Sequence, residues 1–192
     1  PTARLYTSQV GPVSVAGNGE TFPINVTTNV TITATGGLVT ITPPAAQAAF
    51  GLASAGSGIN GTAGGGSLII DGGGNTASFG VVATTGSTTA TSLQNVTIQN
   101  FLQEGVRVAN AGVLTIKQGV AVAGNGITTA RRPGLRVTGS AHVDITVPMG
   151  QATTSFNTNT QHGILVEGTG SVTITGAQAG GTGTIECRSN FV

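Results

Sequence analysis

The stretches Gly105-Val-Arg-Val-Ala-Asn-Ala-Gly-Val-Leu-Thr-Ile116, Gly134-Leu-Arg-Val-Thr-Gly-Ser-Ala-His-Val-Asp-Ile145 and Gly163-Ile-Leu-Val-Glu-Gly-Thr-Gly-Ser-Val-Thr-Ile174 repeat one pattern. Their opening glycines are 29 residues apart, and Gly51 and Gly80 open similar stretches with gaps of 29 and then 25. A fixed period in this range marks a solenoid, whose repeats bury their apolar faces only by stacking on one another. Within a copy, Val106 and Val108 share one face, as do Leu114 and Ile116, while Arg107 and Thr115 point the other way. That is the period of two that marks a strand. Small or polar residues such as Ala109–Gly112 make a corner between the two strands. A third apolar stretch follows in each copy, at Val120/Val122, Val147/Met149 and Ala177/Ala179.

Three short strands and three corners in 25 to 29 residues describe one rung of a parallel β-helix. Rungs stack at roughly 4.8 Å, so equal offsets become vertical columns. The sequence therefore predicts an all-β, right-handed parallel β-helix of about six rungs, one domain over residues 1–192. Val108, Val137 and Val166 are expected in one buried column, with Leu114, Ile145 and Ile174 in a second. Phe22-Pro-Ile-Asn-Val26 with Val30-Thr-Ile32 reads as the first copy, and Phe50–Ser54 aligns on Phe79–Ala83. On that alignment Phe22, Phe50 and Phe79 form an inward aromatic stack. Their column turns polar at Glu104 and His162, which predicts a corner open to solvent. Ser54–Gly66 and Gln151–Gln161 lack apolar alternation and read as protruding loops. Residues 1–19, with Tyr6, Val10, Val13 and Val15, read as an N-terminal cap, and 186–192 as a thin C-terminal tail. The last rung is accordingly expected to associate with another copy of the chain, or to be continued by further residues.

Composition bounds function more than it defines it. Charged residues are 7% of the chain, the formal net charge is +1, and hydrophobic residues are 38%. A neutral but apolar chain rich in Thr and Val suits strands, not disorder. The near-neutral charge argues against nucleic acid, which needs clustered Lys and Arg. No apolar run is long enough to span a bilayer as a helix. One cysteine, Cys187, excludes an internal disulfide framework. With Lys117 the sole lysine, the composition predicts a secreted or cell-surface protein whose signal peptide is absent from this chain.

The chain resembles the right-handed parallel β-helices of the pectin-lyase-like superfamily. Gly19-Glu-Thr-Phe-Pro-Ile-Asn-Val26 followed by Val30-Thr-Ile-Thr33 is similar to the opening rung of an uncharacterised family of bacterial secreted β-helix proteins. Leu68-Ile-Ile-Asp-Gly-Gly-Gly74 and Asn95-Val-Thr-Ile-Gln-Asn100 are phrases that recur in that superfamily. The resemblance covers roughly residues 19–186. It implies a fold, while the activities it spans run from lyases and hydrolases to adhesins and inert scaffolds. Function must then come from the site.

Glycoside hydrolysis on such a scaffold needs two carboxyls about 5 to 9.5 Å apart. Glu104, Asp144 and Glu167 occupy different columns, and no two acids share a column on adjacent rungs, so no acid/base pair is expected and no catalytic residue is assigned. Arg107 and Arg136 share an outward column, Arg131 and Arg132 sit on the corner before Gly134, and Asp144 is nearby. Arg107, Arg132, Arg136 and Asp144 are the candidate ligand-binding residues, since guanidinium binds carboxylate bidentately. In the competing reading, Glu167 offsets Arg136 as an ordinary exposed pair. His142 and Asp144 face outward together near Lys117, but a metal needs a third ligand, and Asp71-Gly-Gly-Gly-Asn75 lacks the repeated Asp nonapeptide of calcium-binding β-rolls. No metal or cofactor is therefore assigned. Thr31/Thr33, Thr97, Thr115, Thr146 and Thr173/Thr175 suggest a Thr ladder on one face, interrupted by Gln99, Lys117 and Asp144, with Thr40/Thr42 on a neighbouring sheet.

These features point to a non-catalytic secreted or surface module, structural or adhesive, with a glycan or cell-surface polymer as candidate partner. The alternative is a polysaccharide-binding or polysaccharide-cleaving lyase or hydrolase. Ice binding through the Thr ladder is the lesser alternative.

Overall fold

The computed structural model describes residues 21–27, 29–53, 56–74, 76–84, 91–126, 132–176, 184–188 and 190. The expected cap over 1–19, Arg131, Ala177/Ala179 and the end of the tail lie outside them. Among the described residues every regular element is a strand, and the strands form three parallel six-stranded sheets. The first sheet stacks β1 (Ile24–Val26), β4 (Ala48–Leu52), β7 (Phe79–Ala83), β10 (Val106–Val108), β13 (Leu135–Val137) and β16 (Ile164–Val166). The second holds β2 (Thr31–Thr35), β5 (Gly58–Gly64), β8 (Thr91–Gln94), β11 (Val113–Ile116), β14 (His142–Thr146) and β17 (Ser171–Thr175). The third holds β3 (Leu38–Ile41), β6 (Ser67–Asp71), β9 (Val96–Gln99), β12 (Ala121–Ala123), β15 (Thr154–Ser155) and β18 (Ile185–Glu186). The chain is thus a parallel β-solenoid of five to six turns.

Register follows the repeat in the C-terminal half and departs from it once in the N-terminal half. Ile24, Phe50, Val81, Val106, Leu135 and Ile164 share one column, so successive turns are 26, 31, 25, 29 and 29 residues long. The 31-residue turn lies outside the expected range and undoes the alignment of Phe50 on Phe79. Phe50 pairs with Val81 and is buried, whereas Phe79 pairs with Ala48 and is half-buried. No aromatic stack forms. The interior instead takes Phe50, Phe101 and Phe156, and the last two sit at corners where strand alternation gives no signal.

Both expected loops contribute to the wall. Ser54–Gly66 contains β5, whose Ile59 is buried between Ile32 and Leu93. Its glycines permit close approach. A Cβ on Gly58 would lie 2.6 Å from Ser92 Oγ, and one on Gly61 would collide with the Asn95 carbonyl. Gln151–Gln161 contains β15, with Thr154, Phe156 and Asn159 all buried. The third strand of that turn therefore falls at 154–155. The turn at Pro148–Gln151, where Gln151 N–H donates to the Pro148 carbonyl, carries Met149 out to 60% exposure.

Inside, Val108 and Val137 stack with no exposed surface, as expected. Leu114 stacks on Val143, while Ile116 stacks on Ile145, so Leu114 stands one inward position away from its expected column. Val166 and Ile174 continue these columns but are 41% and 55% exposed, because no described turn covers them.

One corner is held by amides. Asn125 and Asn159 are fully buried, and Asn125 donates from both its backbone N–H (3.2 Å) and Nδ2 (3.0 Å) to Asn159 Oδ1. Asn159 in turn donates from its N–H to Asn190 Oδ1 (3.0 Å) and from Nδ2 to the Val122 carbonyl (3.1 Å). Phe101 N–H donates to Asn125 Oδ1 at 3.1 Å, and Asn190 Nδ2 to the Phe156 carbonyl at 2.9 Å. The ladder satisfies corner backbone groups that the sheets cannot reach.

Two substitutions test this interior. Val137→Asp places an unpaired carboxylate in the fully buried column, costs several kcal/mol, and is expected to abolish cooperative thermal unfolding. Asn159→Ala strips donors and acceptors from two neighbouring turns and is expected to cost about 2–4 kcal/mol in denaturant titration.

Candidate functional site

The outer faces carry the polar residues that alternation sends away from the core. On the first sheet Arg107 and Arg136 are register neighbours, as their equal offsets require. They do different things. The Arg107 guanidinium lies over the Phe79 ring, 5.1 Å from its centroid, a cation–π contact. Arg136 bridges two carboxylates. Its Nη1 donates to Glu104 Oε1 at 3.1 Å, and its Nε and Nη2 both reach Glu167 Oε2 at 2.7 Å.

The Glu167 contact was legible from the offsets; the Glu104 contact was not. Glu104 precedes β10 at a corner expected to open to solvent, yet it is fully buried. It is tolerated there because the guanidinium of the next turn closes over it. Burial pulls the Arg136 pKa down, but hydrogen bonds and charge from Glu167 and Glu104 outweigh it and raise the pKa above its ordinary value. Glu104 Oε2 and Arg132 Nε are both buried without a hydrogen-bond partner. Arg132 is otherwise anchored through its N–H to Thr160 Oγ1 at 3.2 Å. Two acids in different columns are thus brought to one guanidinium, a convergence that columns alone do not reveal.

Asp144 lies on the second sheet, where His142 Nε2 and Asp144 Oδ1 are 2.9 Å apart. His142 Nδ1 is 2.7 Å from Ser171 Oγ on the next turn. The sequence reading placed His142 and Asp144 on one face, as they are, but did not include Ser171. The 29-residue offset from His142 to Ser171 carries that signal. Thr97 and Gln99 belong to the third sheet, not the second. The central outward column of the second sheet reads Thr31, Gly58, Ser92, Thr115, Asp144, Thr173, a broken Thr ladder.

The remaining acids are held by the chain itself. Asp71 Oδ1 accepts from Gly73 N–H at 2.8 Å, and its Oδ2 accepts from Gln99 Nε2 at 2.7 Å and Asn100 Nδ2 at 3.2 Å. Glu186 pairs with Arg188 at 3.1 Å. Among the described residues no cluster of three His, Cys, Asp or Glu is placed to hold a metal. Cys187 is a surface thiol whose partial burial pushes its pKa up, the wrong direction for thiolate chemistry. A shallow groove of about 270 Å³ on the first sheet is lined by Pro23, Asn25, Gly51, Val82 and Thr84 among others, with no titratable group. No helix among the described residues is long and apolar enough to cross a membrane.

The fold and this face define a parallel β-solenoid with self-paired charges. No family model matches the chain, and no curated protein or solved structure is significantly similar to it.

Removing Arg136 strands a buried carboxylate. Arg136→Met is expected to lose about 3–5 kcal/mol of stability, whereas Glu167→Ala, at an exposed pair, loses under about 1 kcal/mol. Adding Glu104→Gln to Arg136→Met is expected to recover much of the loss, read as the shift in denaturation midpoint.

Proposed function

We propose that this chain is a secreted or cell-surface β-helix of the pectin-lyase-like kind that serves as a structural or adhesive module. The observation that carries the reading is the fate of the acids. All five described carboxylates, Asp71, Glu104, Asp144, Glu167 and Glu186, are held by the chain's own amides, Arg or His. What remains on the outer faces is largely Thr, Ser, Asn and small apolar side chains. Such faces make neutral hydrogen-bonding and van der Waals contacts, which suits a glycan or cell-surface polymer as partner.

The polysaccharide-cleaving alternative finds less support. Glu104 and Glu167 meet at one guanidinium, but Glu104 is fully buried, so a glycosidic oxygen does not reach it. Ice binding is disfavoured by the Gly, Ser and Asp residues that break the Thr column. Association of two copies through the last turn is part of the proposal. It is supported by Val166 and Ile174, which are exposed where their equivalents Val137 and Ile145 are buried.

The proposal predicts retention on one or more insoluble polysaccharides or cell-wall preparations without release of reducing or unsaturated ends. Release of such ends that Arg136→Ala abolishes in a folded protein would contradict it. Light scattering is expected to show concentration-dependent dimers that Ile174→Lys disperses. A protein that stays monomeric at high concentration would refute the association.

A further inference from the structure

Ser171, His142 and Asp144 form a continuous hydrogen-bonded chain on the outer face of the second sheet. Ser171 Oγ to His142 Nδ1 is 2.7 Å, and His142 Nε2 to Asp144 Oδ1 is 2.9 Å. The fold dictates this geometry. Strand alternation puts His142 and Asp144 on one face two residues apart, and parallel register puts Ser171 beside His142. An ionised carboxylate only accepts, so Nε2 carries the proton in the neutral imidazole. Nδ1 then presents its lone pair to the Ser171 hydroxyl. A hydroxyl facing a base that a carboxylate orients is the arrangement that activates a serine nucleophile.

We propose that Ser171 is an acyl-transfer nucleophile that takes short carboxylic esters, an activity that goes beyond the structural reading and does not depend on it. Ser171 is exposed, and His142 and Asp144 are 35% and 41% exposed, so a substrate reaches all three. β17 is the last strand of its sheet. Ser171 N–H donates to Ala141 and the Thr175 carbonyl accepts from Val147, so residues 171, 173 and 175 face β14. The intervening N–H groups of Val172 and Ile174 point to the other edge, which no described strand pairs. An ester carbonyl over that rim meets Ser171 Oγ and the Val172 N–H, the donor that stabilises a developing oxyanion.

In the first step Ser171 Oγ bonds to the carbonyl carbon while its proton passes to His142 Nδ1. The ester C–O bond then breaks, and that proton leaves on the alcohol. Water repeats the sequence on the acyl-serine: its proton goes to Nδ1 and then to Ser171 Oγ as the acid departs. The net change is ester plus water to acid plus alcohol. Ser171 and His142 are the catalytic residues. Asp144 is a positioning residue that fixes the tautomer.

The full chain is incubated with a fluorophosphonate, which phosphonylates activated serines, and with p-nitrophenyl acetate. A phosphonyl adduct is expected on Ser171 by peptide mapping, and Ser171→Ala loses both the adduct and at least about tenfold of the p-nitrophenolate release. Thr31→Ala, far along the same sheet, leaves both unchanged. In the native chain the labelling rate falls as acid protonates His142. In Asp144→Asn it stays low across the pH range, because the amide no longer enforces the tautomer, and an unchanged profile there would remove Asp144 from the scheme. No adduct on Ser171, or p-nitrophenolate release that survives Ser171→Ala in a folded protein, would overturn the proposal.

Discussion

Everything in this molecule depends on parallel strands stacking in register, with one residue directly above its equivalent in the next turn at roughly 4.8 Å. A single turn has no interior of its own. Val108 is buried because Ala83 and Val137 lie on either side of it, and the same holds for Ile116 between Leu93 and Ile145. Each turn therefore supplies half of its neighbours' core, and stability is shared along the stack. The end of the stack shows the converse. Val166 and Ile174 have the right chemistry for the core but lack the next turn.

Polar groups obey the same constraint, and this gives the structure its chemistry. Corners cannot use the sheet ladder, so asparagines stand in, either as the buried chain through Asn125 and Asn159 or in left-handed conformation at Asn95, Asn100 and Asn110 (φ between 50° and 59°). A buried acid is tolerable only if the turn above or below delivers a cation, as Arg136 does for Glu104. On the outside, stacking turns isolated side chains into rows: Arg107 beside Arg136, and Val113, His142 and Ser171 across three strands.

Much of the fold was legible because three consecutive turns share one length and one alternation. Legibility failed where the period broke or where glycine replaced the apolar signal. The 31-residue turn moved Phe79 two positions off Phe50, a slip that equal Phe-Gly pairs concealed. β5 holds one large apolar residue, Ile59, among glycines, so alternation had nothing to count. β15 was hidden because Thr154 and Asn159 are buried through hydrogen bonds, not through hydrophobicity. At the site, Arg136–Glu167 and His142–Asp144 followed from offsets on strands. Glu104 did not, because it sits at a corner where parity no longer states which way a side chain points. Ser171 was visible in principle, since it occupies the His142 column, but hydroxyls on an outer strand face are ordinary and only geometry distinguishes this one.

The central claim is in-register stacking through the irregular middle of the chain, and paired cysteines test it most directly. In a Cys187→Ser background, Ser92→Cys with Thr115→Cys places two outward thiols on directly opposed residues. The Cα separation of about 4.8 Å lies within disulfide range. Ser92→Cys with Lys117→Cys is offset along the strand, with Cα atoms about 8 Å apart and out of range. The account predicts rapid oxidation of the first pair, with the fold retained, and slow or no oxidation of the second. Preferential oxidation of the second pair would contradict the register on which every column in this structure rests.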